Sequence, residues 1–296
     1  MSIRQRAHDA ILGPFVADAA AAGLHWFYDV EDVARRGGDE PEFQPPEKNK
    51  YHSKRATGQF THYGDHALVV LESVVERGGL DSEDYAARYR ARFGAPDYDG
   101  YIDHATRDFL ATGKGADDNQ AGVFTKLPVL TVRYLEDLEF EARIEEGIRV
   151  THDNTQAVRY GVAAACAIRA AVRGAGPAEV LDEVCRTSPA VVALVDKARG
   201  AGSDMVAFAL EAGQTCPLPE SFPVAMHAAY VAHDFKHAVR GSILSGGDTS
   251  GRLFVTAAIR GAVDGVPEDW LERMDQRARI EELTGKLLDS LPAEAG

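Results

Sequence analysis

The sequence predicts an all-α fold, a single compact multi-helix domain spanning residues 1–296. Three observations point to it. Apolar residues recur at helical spacing along most of the chain, strand-like alternation is nearly absent, and no stretch rich in Pro, Gly or Ser is long enough to divide the chain. No internal repeat is present. With 45% hydrophobic and 26% charged residues, the chain has the composition of a globular protein that buries a sizeable core.

Residues 6–24 carry Ile11, Leu12, Phe15, Val16 and the run Ala19 to Ala22, the pattern of a tightly packed helix, with Asp18 set among them. His25-Trp26-Phe27-Tyr28-Asp29 combines aromatic rings with polar tips, which suit either the floor of a pocket or the cover of a helix end. Residues 37–63, rich in Gly, Pro, Lys, His and Tyr, lack a sustained period and read as a long loop of the functional kind. Ala67, Val70, Leu71 and Val74 mark a helical face from Asp65 to Arg77, closed by Gly78-Gly79, so Asp65 falls at a helix start. A second helix runs from the acidic turn Ser82-Glu83-Asp84 to Phe93.

Gly113 to Gln120 is a polar turn before an apolar run. It lacks the Walker spacing, which leaves ordinary turn chemistry and a ligand site both open. Thr151-His152-Asp153-Asn154-Thr155 caps an Ala-rich helix over 156–173. Further helices are expected at 177–185, 190–199, 204–212, 222–232, 235–244, 252–263 and 267–288. Between two of these lies Leu244-Ser245-Gly246-Gly247-Asp248-Thr249-Ser250-Gly251, where paired glycines precede a carboxylate and two hydroxyls. Such a turn either caps the next helix or presents hard oxygen donors to a cation.

A formal net charge of −14 disfavours a general nucleic-acid or anionic-membrane binder, since both need a basic face. No stretch approaches the roughly 20 apolar residues of a membrane span, and the first residues lack the apolar core of a signal peptide. Cys166, Cys185 and Cys216 are odd in number and widely spaced, so they read as reduced and buried in a cytoplasmic protein.

Four clusters together resemble the ADP-ribosylglycohydrolase family, also called the ADP-ribosylation and crystallin J1 family. Asp234 to Arg240 leading into Gly246-Gly247-Asp248-Thr249 is similar to its acidic helix ending in G-G-D-T-D-T, and Gly13 to Gly23, with Asp18, to its first helix. Arg149-Val150-Thr151-His152 before the Ala-rich helix, and Asn119-Gln120-Ala121 running to Leu127-Pro128, match two more segments. The resemblance implies an all-α fold with a cleft for small-molecule or protein-linked ADP-ribose, hydrolysed with the help of two magnesium ions. It implies Asp65 and Asp248 as catalytic groups and metal ligands, Thr249 and Ser250 as further ligands, and His25, Asn119, Gln120, Thr151 and His152 along the substrate cleft.

The sequence also departs from the pattern. Ser250 stands where the family has the second Asp of G-G-D-T-D-T, Gly251 where it has the next Thr, and His25 where it has an acidic residue. The family's T-D-D-T falls on Thr61-His62-Tyr63 without gaps, or on Tyr63-Gly64-Asp65 with a shift. These features look like the crystallin J1 branch. A degenerate site holding one ion or none is therefore open, as is a non-catalytic ADP-ribose-binding or crystallin-like protein that retains the fold. The pairs His152-Asp153 and His233-Asp234 also admit a metal phosphohydrolase of the HD type, marked by a transition metal on imidazole.

Overall fold

The computed structural model describes residues 1–291. The chain folds into α1 (Ile3–Ala21), α2 (Val30–Gly37), α3 (His62–Arg77), α4 (Ser82–Phe93), α5 (His104–Thr112), α6 (Leu127–Arg133), α7 (Phe140–Arg149) and α8 (Thr155–Val172). It continues through α9 (Pro177–Thr187), α10 (Val192–Gly200), α11 (Met205–Ala212), α12 (Leu218–Val231), α13 (Phe235–Leu244), α14 (Thr249–Asp264), α15 (Glu268–Leu271) and α16 (Arg277–Asp289). Short 3-10 turns occupy Pro46–Lys48, Ala121–Lys126 and Pro189–Val191. Among the described residues there is no strand, only isolated bridges from Ala116 to His152 and from Gln120 to Pro217.

The fold is built around the pair α1 and α14, the most extensive helix contact in the chain. Both are buried along nearly their whole length, because small and apolar residues occupy every side. Gly13 of α1 sits against the Ala257 carbonyl and Gly261 of α14 against the Asp9 carbonyl, so the backbones touch where any side chain would hold them apart. One continuous core surrounds this pair and takes residues from Ala7 to Leu288.

Asp18 joins α1 to α3. Its carboxylate is fully buried and accepts the Thr61 N–H (2.9 Å), the Thr61 hydroxyl (2.6 Å) and the Gly64 N–H (3.1 Å). It thereby caps α3 from outside, where a negative charge is favourable. Burial raises its pKa to about 6 against the pull of the Thr61 hydrogen bonds.

Several expectations shift. Helix α3 begins at His62, capped by Thr61, three residues before the expected start at Asp65. The loop over 37–63 is interrupted by a 3-10 turn and preceded by α2, and α5 and α7 lie in segments with no predicted element. The helix expected over 267–288 is two helices broken at Gln276, whose φ of +58° ends the regular path. Cys166 is buried, whereas Cys185 and Cys216 are partly exposed; all three are free thiols. No helix among the described residues is long and apolar enough to cross a membrane.

Replacing Asp18 with Ala strands two buried N–H groups at the start of α3. A buried donor without a partner costs about 1–3 kcal/mol, so Asp18→Ala is expected to lower stability by about 3 kcal/mol, read as a fall in urea midpoint at unchanged slope.

Candidate active site

After α13 the chain reverses through Gly246 and Gly247, both in the left-handed region at φ +66° and +69°. A Cβ on Gly246 would lie 2.8 Å from the Phe27 carbonyl oxygen, and one on Gly247 would collide with that of Gln214. The close approach forms reciprocal hydrogen bonds: Gly247 N–H donates to Phe27 (2.7 Å) and Trp26 N–H donates to Gly247 (2.9 Å). Buried Arg252 donates to the carbonyls of Gly246 and Gln214 from beneath. Trp26 is thereby held at φ +62°, a conformation that bulky residues seldom adopt outside functional segments.

Asp248 occupies the cap position of α14, but its side chain makes no cap hydrogen bond. The carboxylate is fully buried, accepts the Tyr63 hydroxyl at 3.3 Å and lies 3.7 Å from His25 Nε2. Burial raises its pKa against the opposing charge of Arg252. The Ser250 N–H donates to His25 Nδ1 at 3.2 Å, which leaves the proton of the neutral ring on Nε2. Burial, with His52, His62 and Arg252 nearby, holds His25 well below the ordinary imidazole range. Thr249 and Ser250 are buried in the same turn, the Thr249 hydroxyl reaching back toward the Gly247 carbonyl.

Asp65 does not join Asp248. Successive helical residues are about 100° apart, so Asp65 points almost opposite to Tyr63. It pairs with Arg55 at 2.6 Å, accepts the Tyr98 hydroxyl at 2.9 Å and lies 3.8 Å from Arg92. Asp65 and Arg92 also line a separate groove of about 550 Å³, together with Glu72 and Arg279. The phase of α3 is the physical reason: its apolar face of Ala67, Val70, Leu71 and Val74 carries Tyr63 inward and turns Asp65 to the opposite side.

On the inner side of Tyr63 opens a cleft of about 440 Å³. Trp26, Tyr51 and Tyr101 meet edge to face in it, with centroids 4.8–5.3 Å apart, and Lys48 and Lys50 stand in its wall. Among the described residues, Asp103 is the only carboxylate lining it. Burial works to raise Asp103, while the facing His66 and His62 rings and the Thr106 hydroxyl and N–H pull it in the opposite direction. Behind Trp26 lie His25, His52 and His62, with centroids 4.3, 5.7 and 5.3 Å from its ring. Both ring nitrogens of His52 and His62, His25 Nε2 and Trp26 Nε1 are buried without a hydrogen-bond partner. Burial holds His52 at about 3 and His62 well below the ordinary value, so these rings are neutral.

Of the residues expected along the cleft, His25 and Gln120 line it. The Asn119 amide instead donates to Gln156 at 2.7 Å, and Thr151 is buried against His152 Nδ1 at 2.9 Å. His152 lies one layer deeper, next to Gly122. The HD arrangement does not form: Asp153 pairs with Arg149 at the surface, while Asp234 caps α13 beside exposed His233.

A family model described as ADP-ribosylglycohydrolase matches residues 1–295. The chain belongs to the ADP-ribosylglycohydrolase family. An uncharacterized protein of Archaeoglobus fulgidus is 28% identical to it over 301 residues, with 97% of each chain covered. Crystallin J1A of Tripedalia cystophora is 26% identical over 307 residues, covering 94% of each. A solved structure, an ADP-ribosylglycohydrolase-related protein complex, shares the fold at a TM-score of 0.77 and 23% identity, covering 98% of this chain and 99% of the other. Membership in the ADP-ribosylglycohydrolase family points to hydrolase chemistry.

Magnesium takes oxygen ligands in near-octahedral array. Here the neighbours of Asp248 include a phenol, an imidazole, the Cys216 thiol and, beneath the turn, the Arg252 guanidinium, a cation that opposes a second one. Among the described residues no group of three His, Cys, Asp or Glu side chains is arranged to hold a metal. The donor set does not fit a two-magnesium centre. Asp103, His52 and Tyr101 had no place in the sequence reading of the site; Asp103 caps α5 through the Thr106 N–H at 2.7 Å, but α5 itself was not anticipated, so no helix start marked it.

Removing Asp65 leaves the Arg55 guanidinium without its closest partner. Asp65→Ala is expected to destabilise the protein by about 3 kcal/mol, in the range for breaking a buried pair, while affinity for a cleft ligand stays within about twofold of the parent. Chemical denaturation and titration calorimetry on one preparation check both.

Proposed function

We propose that the protein hydrolyses a glycosidic bond to ADP-ribose or a related nucleoside-diphosphate ribose, using the Trp26 cleft and no two-magnesium centre. The observation that carries this reading is the Asp103 carboxylate in the wall of a cleft of small-molecule size, the one carboxylate that lines it among the described residues. The aromatic walls of Trp26, Tyr51 and Tyr101 offer stacking surface to a planar base, and Lys48 and Lys50 offer positive charge to a diphosphate.

In this reading Asp103 takes a proton from a water whose oxygen bonds to the anomeric carbon as positive charge develops on the ribose, while the bond to the attached group breaks and the departing group takes a proton from solvent. Asp248 does not touch substrate. It is a positioning residue that holds the Tyr63 hydroxyl and faces His25. The free thiols support a reducing, cytoplasmic setting.

Asp103→Asn keeps the helix cap while removing the charge. It is expected to lower kcat on an ADP-ribosyl substrate by at least about 100-fold, with ADP-ribose affinity changed by less than about tenfold. Chelation of divalent ions is expected to leave the parent rate unchanged. Steady-state assays with ADP-ribosylated arginine and serine, alongside ADP-ribose titrations, test this. No binding at millimolar ADP-ribose, or turnover indifferent to Asp103→Asn, overturns it. The similarity to crystallin J1A favours a second reading, a structural or binding protein that keeps the fold; ADP-ribose binding with no turnover of either substrate would support that reading.

A further inference from the structure

Asn49 stands between Lys48 and Lys50 in a stretch whose composition reads as polar loop, yet it is 1% exposed. A buried primary amide needs partners for two N–H donors and two oxygen lone pairs. The chain itself supplies all four. The Nδ2 group donates to the carbonyls of His25 at 2.8 Å and Ala22 at 3.2 Å, and Oδ1 accepts the N–H groups of Tyr51 at 2.9 Å and His52 at 3.2 Å. Two acceptors on one side and two donors on the other admit a single orientation of the amide. Asn49 lines the cleft, but it has no hydrogen bond left to give a ligand.

These bonds reach the cleft wall in two places. Ala22 lies at the C-terminal end of α1, where the last carbonyls have no partner within the helix. The His25 carbonyl belongs to the peptide that leads into Trp26, and the N–H of that same peptide donates to Gly247. A peptide unit is planar, so holding it from both sides fixes the entry into the left-handed Trp26. On the other side, Tyr51 and His52 are residues whose rings flank the indole, Tyr51 edge to face at 4.8 Å and His52 stacked at 5.7 Å. One side chain thus ties together the backbones on both sides of a ring contact that it does not itself make.

We propose that Asn49 is a positioning residue that sets the Trp26 and Tyr51 rings as one preformed surface for a planar base. This rests on the reading of the cleft as a site for an ADP-ribosyl diphosphate. A wall already in place binds more tightly, because the ligand does not have to order it. The amide is neutral, so it does this without altering the charge that Lys48 and Lys50 present to the cleft.

Asn49→Ala and Asn49→Ser are both neutral and leave room for water to pair with the freed backbone groups, which keeps the fold and loses the fixed link. Ile168→Ala, at a fully buried position of α8 outside the cleft lining, is the control for lost stability alone. Hydrogen exchange without ligand reads the positioning. The Trp26 N–H is bonded to Gly247 and not to Asn49, so a loss confined to the amide's own contacts would leave it unchanged. Its exchange is expected to quicken in both Asn49 variants, together with Tyr51 and His52, while Ile168→Ala quickens α8 and leaves Trp26 near the parent's rate. Calorimetric titration of ADP-ribose reads the cleft: both Asn49 variants are expected to bind about tenfold more weakly, the contribution of one base–aromatic stack, and Ile168→Ala to stay within about twofold of the parent. A Trp26 N–H that exchanges at the parent's rate in both Asn49 variants, or an affinity that falls as far in Ile168→Ala, overturns the proposal. If ADP-ribose binds neither the parent nor any variant, the reading of the cleft fails, and the exchange of the Trp26 N–H still decides whether Asn49 sets the wall.

Discussion

The cleft depends on the pair of backbone hydrogen bonds that join the Gly246-Gly247 turn to Trp26 and Phe27. A net hydrogen bond contributes only about 1 kcal/mol, but these two fix geometry on both sides at once. On one side they hold Trp26 in a left-handed conformation that turns its ring into the cleft wall. On the other they set the start of α14, which brings the Ser250 N–H to His25 and the Asp248 carboxylate to Tyr63. Glycine is required at both turn positions, because each combines a positive φ with a carbonyl oxygen in the place of a side chain.

Helix identity was largely legible from apolar spacing, and the four clusters of the family resemblance identified the family that the match over residues 1–295 establishes. The start of α3 was not legible, although its apolar face was. Thr61, which caps α3, lies in a stretch whose Gly, His and Tyr content reads as loop, and its partner Asp18 is 43 positions away in sequence. No local pattern carries that contact. The consequence is that His62 and Tyr63 are ordered in the first turn of α3, where the helix phase sets the Tyr63 hydroxyl beside Asp248 and turns Asp65 toward Arg55. Asp103 was equally hidden, since its electrostatic surroundings come from α3 and the turn at Gly122, neither adjacent to it in the chain. Asp248 itself lies beneath the cleft rather than in it.

The layer behind the cleft is chemically unusual in a different respect. Buried polar atoms are normally paired, yet here the neutral rings of His25, His52 and His62 leave nitrogen atoms unpartnered within one small region. Neutral imidazoles can each present a donor or an acceptor. They give the floor a hydrogen-bonding capacity without a fixed charge, whereas a carboxylate-rich floor would commit the site to cations. The replacement of an acidic residue by His25 and the entry of His62 and Tyr63 at the helix start act in the same direction.

The sequence contains two tryptophans. Trp270 is packed in the core between Phe43 and Phe235, while Trp26 forms a wall of the cleft amid imidazole rings and beside Cys216. The same strained conformation that presents Trp26 to a ligand therefore makes the molecule its own optical probe. An emission change on filling the cleft belongs to one indole, with the other as an internal standard, and the order in which ligands enter can be followed without any label.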